Sequence, residues 1–164
     1  RSWQCKGGIR VEFTVKTELD MSGFKAVEKA CEKLSRGVKV GILNDPAEAQ
    51  IGFLQHYGGT GVYSYGKYEG QEVEVPARPF LSTAIEHNGR ELLENAISKL
   101  NNFKSVDKVL DDLGSNAKQA VQNRIDEIAA QGGNSPRTIE TKGKDSPLID
   151  KGNLRASIEY EVVE

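Results

Sequence analysis

The stretch Val75-Pro-Ala-Arg-Pro-Phe-Leu81 separates two different hydrophobic patterns. Just before it, Val73-Glu-Val-Pro76 alternates apolar and acidic residues, as a strand does. After Pro79, apolar residues recur at helical spacing. Each proline fixes its own φ and pushes the residue before it toward extended geometry. The stretch therefore predicts a strand that ends in a braced turn and enters a long helix, with Arg78 aimed in a defined direction.

Two long helices are predicted after this turn. The first runs from Pro79 to about Phe103, and the second starts at Ser105 or Asp107 and ends at Gly132-Gly133. Apolar residues at steps of three and four define one face of each helix. For the first these are Leu81, Ala84, Ile85, Leu92, Ala96, Ile97, Leu100 and Phe103, and for the second Val109, Leu110, Leu113, Ala117, Val121, Ile125 and Ile128.

Three segments alternate like half-buried strands. They are 9–16, 38–43 and 157–163, and the inward side chains are predicted to be Ile9, Val11, Phe13, Val15, Val38, Val40, Ile42, Ile158, Tyr160 and Val162. A helix capped by Asp20 or Ser22 is predicted to run to about Arg36. A shorter helix, capped by Asp45 and started by Pro46, is predicted to end near Tyr57. Ile51, Leu54 and Phe53 are its predicted core contacts.

These elements predict a single α+β domain over residues 1–164, in which a small antiparallel or mixed sheet packs against two long helices. Two segments stand apart from this core. Residues 59–75 are rich in Gly and Tyr and predict a long hairpin or an extended loop. Residues 132–147 are polar and predict a flexible loop, interrupted by a short helical turn at Ser135-Pro-Arg-Thr-Ile.

The composition argues against some classes of protein but does not identify one. The net charge is −2, so there is no global electrostatic reason to bind nucleic acid. No run of about 18 apolar residues is present, which predicts no membrane span. The two cysteines, Cys5 and Cys31, are expected to be reduced thiols, and we find no targeting signal at the N-terminus.

No motif predicts catalysis, a metal site or a cofactor site. His56 would need a partner to act as a general base, so a hydrolase is only a weak hypothesis and a helix-terminal histidine is favoured. Gly58-Gly-Thr-Gly61 lacks the Lys-Ser/Thr of a phosphate-binding loop. The neighbouring acidic pairs Asp111-Asp112 and Asp126-Glu127 diverge around a helix and are expected to face solvent.

Several residues are candidates for an interface. Tyrosines in a Gly-rich extension provide rigid amphipathic contact area, although core packing in a hairpin is an equal alternative. Arg78 is expected to pair with a carboxylate, either in its own fold or in a neighbouring subunit. Asp150, in the turn before Gly152, is expected to bond nearby backbone amides. The candidates are Tyr63, Tyr65, Tyr68, Arg78, Phe80, Arg137, Lys142 and Lys144.

Four segments in this order resemble a family of tail-completion or head–tail joining (neck) proteins of long-tailed bacteriophages. They are Lys39-Val-Gly-Ile-Leu, Gly52-Phe-Leu-Gln-His-Tyr-Gly-Gly, Val75-Pro-Ala-Arg-Pro-Phe-Leu and Pro147-Leu-Ile-Asp-Lys-Gly-Asn-Leu-Arg-Ala-Ser-Ile. The resemblance covers the chain from about Phe24 to Val163. The chain has His56-Tyr-Gly-Gly59 where the family often has Glu-Phe-Gly-Thr.

The resemblance implies a structural virion protein with no enzymatic activity and no cofactor. Made in the cytoplasm of the host bacterium, it would form a ring, with six subunits expected, at the head-proximal end of the tail. Its implied partners are a tail-terminator or tail-tube protein and head-closure or connector proteins. DNA would pass through the lumen without sequence-specific binding. An alternative is a nucleic-acid-binding module that uses the basic residues of the 132–147 loop.

Overall fold

Two antiparallel sheets and two long helices make up the fold in the computed structural model, which describes residues 10–13, 36–101 and 105–163. Side chains are described for residues 36–100 and 105–163. In chain order the elements are β1 (Arg10–Phe13), β2 (Gly37–Ile42), α1 (Pro46–Tyr57), β3 (Gly59–Val62), β4 (Glu72–Val75), α2 (Phe80–Asn101), α3 (Val106–Gln131), α4 (Pro136–Lys142), α5 (Asn153–Ala156) and β5 (Ile158–Val163).

The main sheet has the strand order β1-β2-β5, with all neighbours antiparallel. Val38, Val40 and Ile42 of β2 are buried, and their partners across the sheet are Val162, Tyr160 and Ile158. The alternation of β2 is therefore confirmed, because side chains two residues apart share a face. Of the predicted first strand, the structure describes β1, which pairs with β2.

Helices α2 and α3 lie side by side in opposite directions. Leu81 and Ala84 at the start of α2 belong to the same core cluster as Ile125 near the end of α3. At the other end, Ala96 packs with Val109. Every residue of the predicted α3 face is buried, but on α2 Ile97 is exposed, so its predicted core role is wrong. The α+β class is confirmed.

Helix α1 begins and ends where predicted. Asp45 caps it by accepting from the backbone N–H groups of Ala47 and Glu48 at 3.1 and 3.0 Å, and Pro46 occupies the first turn. Its buried residues are Ala49, Gly52 and His56.

The predicted core contacts of α1 are wrong for Ile51 and Phe53, which are 48% and 54% exposed. The reason is that α1 closely approaches β2 and α5 at Gly52. A methyl group on Gly52 would lie 2.6 Å from Ile42 Cδ1 and 3.2 Å from Leu154 Cδ1, so only a face of small residues fits there. Leu54 is half-buried beneath β3, where it closely approaches Gly61.

Strands β3 and β4 form the predicted hairpin, as a sheet of their own with Gly59 opposite Val75 and Val62 opposite Glu72. The predicted helix at 20–36 lies outside the described residues except for Arg36, and so do Cys5, Cys31 and Phe103. Within the described residues, no helix combines the length and the apolar character that crossing a bilayer requires.

Candidate interaction cleft

The tyrosines of the hairpin, residues 59–75, all bond to the connecting segment, residues 132–152, which joins α3 to α5. Tyr65 Oη donates to Asp150 Oδ2 and Tyr68 Oη donates to Glu140 Oε2, both at 2.7 Å. Tyr63 Oη lies 3.2 Å from Thr138 Oγ1. The hydrogen bond to Asp150 raises the pKa of Tyr65 to about 12, because removing the phenolic proton would set two negative charges against each other.

The tip of the hairpin contacts α4 through charged and aromatic side chains. Lys67 Nζ is 2.9 Å from Glu140 Oε1, and the Arg137 guanidinium lies 5.1 Å from the centre of the Tyr68 ring, a cation–π distance. The hydrogen bonds from Tyr68 and Lys67 lower the pKa of Glu140. Four of the predicted interface candidates, Tyr63, Tyr65, Tyr68 and Arg137, therefore have partners within the same chain.

The connecting segment contains the predicted helical turn as α4. Ser135 caps this helix by accepting from Thr138 N at 3.2 Å. The carboxylate of Asp145 accepts from the backbone N–H groups of Gly133 and Asn134 at 3.0 and 2.8 Å, and these two bonds lower its pKa. The static structure thus gives this segment defined internal contacts, while its flexibility stays a prediction.

Between α1, the hairpin and the connecting segment lies a cleft of about 680 Å³. Its apolar lining includes Ile51 and Leu54 from α1 and Val62 from β3. Four interface candidates also line it, and these are Tyr63, Tyr65, Arg78 and Lys142. The sequence places these residues as far as 79 positions apart, so their convergence was not visible in any local pattern.

Arg78 and Lys142 are both half-buried, and each is bonded to neutral oxygens. Arg78 donates to Gln55 Oε1 at 3.3 Å and to the Gly133 carbonyl at 3.2 Å. Lys142 donates to the Ser146 carbonyl at 2.7 Å. Burial lowers the pKa of both groups, since a charge loses hydration there. Within the described residues Arg78 makes no salt bridge, so its predicted pairing with a carboxylate of its own fold is not observed. Its pairing with a carboxylate of a neighbouring subunit stays a prediction.

Two other candidates have different surroundings. Phe80 is only 1% exposed, because α2 begins inside the core. It can therefore contribute to an interface only by positioning α2, and that role stays a prediction. Lys144 donates to the Asp150 carbonyl at 2.7 Å. The Asp150 carboxylate accepts from Tyr65 rather than from nearby backbone amides, which corrects that expectation.

His56 is buried and stacks edge-on against Phe80, with ring centroids 5.4 Å apart. Its Nε2 atom is 3.4 Å from Ser82 Oγ, a nucleophile candidate that the sequence did not suggest. Within the described part of the chain, no group hydrogen-bonds to Nδ1, so the pair lacks the orienting acid that a catalytic serine–histidine pair uses. Burial lowers the pKa of His56 and favours its neutral form.

The acidic pairs of α3 were expected to face solvent, and Asp111 and Glu127 are exposed while Asp112 and Asp126 are half-buried. Each of the four carboxylates also has a partner. Tyr160 donates to Asp111, and Lys99 pairs with Asp112. Further along the helix, Arg155 pairs with Asp126 and Arg124 with Glu127. The described residues contain no cluster of His, Cys, Asp and Glu with the geometry of a metal site.

Aromatic side chains form an exposed pair on α1. Phe53 and Tyr57, one helical turn apart, are 54% and 59% exposed, and their ring centroids are 4.8 Å apart. This pair was not among the predicted interface residues, because Phe53 was assigned to the core. The signal that would have identified it is the small-residue face of Ala49 and Gly52, which leaves the large residues of α1 outside.

Comparisons with protein-family models, with curated proteins and with solved structures found no match to this chain.

Proposed function

We propose that this chain is a structural virion protein of a tailed bacteriophage, which completes the tail or joins it to the head. Its subunits form a ring at the head-proximal end of the tail, between a tail-terminator or tail-tube protein and head-closure or connector proteins. DNA passes through the lumen. The mature protein acts by fitting against copies of itself and its neighbours.

The observation that carries the assembly role is the exposed aromatic pair on α1. Large apolar side chains that stand singly on a surface are ordinary, but Phe53 and Tyr57 stack together, with Ile51 on the same helix also exposed. Aromatic residues are enriched where protein interfaces have their strongest contacts. A partner that covers this face would remove apolar area from water.

The four segments that resemble neck proteins also meet at one place in the fold. A methyl group on Gly52 would contact Ile42, Leu154 and Phe80, at 2.6, 3.2 and 3.8 Å. Each of these four residues comes from a different one of the segments. Their common location favours a shared packing arrangement as the origin of the resemblance, which supports a related structural role.

The test is to measure the mass of the purified chain, alone and mixed with the tail-tube, tail-terminator and head-closure proteins of the same phage. Analytical ultracentrifugation gives the mass, and negative-stain electron microscopy shows whether rings form. A ring of six subunits, formed alone or on one of these partners, is the expected result. A chain that stays monomeric and binds none of them contradicts the proposal.

The nucleic-acid alternative has less support. Lys142 and Lys144 donate to backbone carbonyls of their own segment, and Arg137 lies against the Tyr68 ring. A phosphate backbone would have to compete with these contacts. Binding to duplex DNA that weakens steeply with added salt would favour the alternative.

A further inference from the structure

The cleft contains two partly desolvated cations, Arg78 and Lys142, and neither makes a direct salt bridge to a described residue. Asp145 is close enough to act electrostatically on Arg78 and Lys142, but its oxygens accept from Gly133 N and Asn134 N. Asp150 acts on Lys142 in the same way, and its carboxylate accepts from Tyr65. Desolvated charges without a direct counter-ion are costly, so a ligand carboxylate would be stabilised between them.

The rest of the cleft limits what such a ligand can be. Ile51, Leu54 and Val62 give it apolar walls, which suit aliphatic side chains. The carboxylates of half-buried Glu48 and exposed Glu74 also line it and would repel a ligand that carries many negative charges. A polyanion such as nucleic acid therefore fits poorly, and a single carboxylate between apolar groups fits well.

We propose that the cleft binds an extended peptide segment of an assembly partner, in which one acidic side chain is flanked by apolar residues. Its carboxylate accepts hydrogen bonds from Arg78 and Lys142, and its apolar side chains contact Ile51 and Val62. A cleft of about 680 Å³ is within the range of ordinary ligand sites. This inference rests on the proposed function in one respect, namely that the segment belongs to a partner in assembly.

The test uses two blocked pentapeptides, Thr-Val-Glu-Val-Thr and Thr-Val-Gln-Val-Thr, titrated into the isotopically labelled chain and followed by NMR. The Glu peptide is expected to shift the amide signals of residues 61–65 and 133–153. The Gln peptide is expected to bind about tenfold more weakly, because a charge-assisted hydrogen bond is lost. Equal affinity of the two peptides, or no shift at millimolar concentration, would overturn the proposal.

Variants of the chain test which side chain binds the peptide carboxylate. Lys142→Met is expected to weaken binding of the Glu peptide about tenfold, whereas Lys142→Arg retains it. Lys108→Met is the control, since Lys108 is exposed near the start of α3 and does not line the cleft. Arg78→Met is informative if its spectrum remains that of the folded chain, and otherwise the Lys142 series decides. Unchanged affinity in Lys142→Met would contradict the assignment.

A third peptide of five glutamates separates charge from shape. The cleft is expected to bind it more weakly than the Glu pentapeptide, because Glu48 and Glu74 repel it, and tighter binding would contradict the proposal. The ring experiment is independent of these titrations. Rings without peptide binding would refute this inference alone, and peptide binding by a chain that never assembles would refute the proposed function.

Discussion

Gly114 brings α3 close to the end strand of the main sheet. A methyl group at this position would lie 2.2 Å from Cδ2 of the Tyr160 ring, far inside normal contact distance. The Tyr160 hydroxyl is fixed at its other end by Asp111, at 2.7 Å. The ring therefore has little freedom to move away. No local pattern distinguishes this glycine, which is needed for packing, from one that merely lowers helix stability.

Gly114→Ala is predicted to lower stability by about 1–3 kcal/mol, the usual range for overpacking, although the same change at an open helix position stabilises by up to about 1 kcal/mol. Thermal and urea unfolding measure the difference. Ser115→Ala, at the exposed neighbouring position, is the control and should change stability little. An unchanged or higher melting temperature for Gly114→Ala would contradict the packing argument.

Because His56 is buried, we predict that the free energy of unfolding depends on pH. Burial lowers its pKa from the ordinary value of 6.5, so the unfolded chain takes up a proton that the folded chain excludes. The stability from neutral His56 is therefore present above pH 6.5 and lost as the pH falls through the folded pKa, by up to about 1.4 kcal/mol per pH unit.

Urea unfolding at pH 7.5 and 5.0 checks this prediction. The wild type and His87→Gln, which changes the other histidine at an exposed position of α2, should both lose stability at pH 5.0. His56→Gln should lose distinctly less between the two pH values, whatever its absolute stability. Equal losses in all three proteins would show that His56 is not responsible.

At the scale of elements, periodicity and end signals predicted most of what the structure shows. Helices α2 and α3 and strands β2 and β5 have long repeating patterns, and burial follows those patterns. The prediction for helix α1 was wrong because its buried residues are Ala49, Gly52 and His56, which carry little hydrophobic signal. Hydrophobic periodicity detects large buried side chains, and it misses a helix that packs through its small ones.

The contact between the hairpin and α4 depends on the side chain of Glu140. Glu140→Ala removes the acceptor of both Lys67 and Tyr68, so the hairpin tip is predicted to open more often. Amide exchange at Tyr63 and Gly70, whose N–H groups bond within the hairpin, should become about two- to fivefold faster.

Glu91→Ala, an exposed glutamate on α2, is the matched control and should leave those rates unchanged. After correction for the intrinsic pH dependence of amide exchange, lowering the pH through the carboxylate range should mimic Glu140→Ala in the wild type. The reason is that the depressed pKa of Glu140 makes its contribution present above pH 4.5 and lost on acidification. Exchange that is already fast in the wild type would instead confirm the predicted mobility of this region.

The fold class could be predicted from the order of helix and strand patterns along the chain, whereas the position of the cleft could not. Its walls come from α1, the hairpin and the connecting segment, and no local rule specifies how such distant segments meet. The tyrosines were predicted either to form an interface or to pack within the hairpin, and the contacts observed are to the connecting segment of the same chain. Which of these surfaces a second protein covers is a property of the assembly.

The exposed aromatic pair on α1, Phe53 and Tyr57, is predicted to be required for assembly. The double change Phe53→Ser and Tyr57→Ser should weaken ring formation or partner binding at least about tenfold, with unfolding stability nearly unchanged, because both side chains lie mostly outside the core. Sedimentation at several concentrations measures this effect. Ile97→Ser removes an exposed apolar residue from α2 and should leave assembly intact. Full assembly by the double variant would exclude this face of α1.

The bonds between hairpin and connecting segment join residues 72 to 85 positions apart. On a ribosome that adds about 5–20 residues per second, the hairpin tyrosines are made roughly 4 to 17 seconds before their partners. During that interval the cleft lacks the wall that the connecting segment supplies. Under the proposed function, a partner that contacts this wall as well as the hairpin would bind finished subunits in preference to nascent ones.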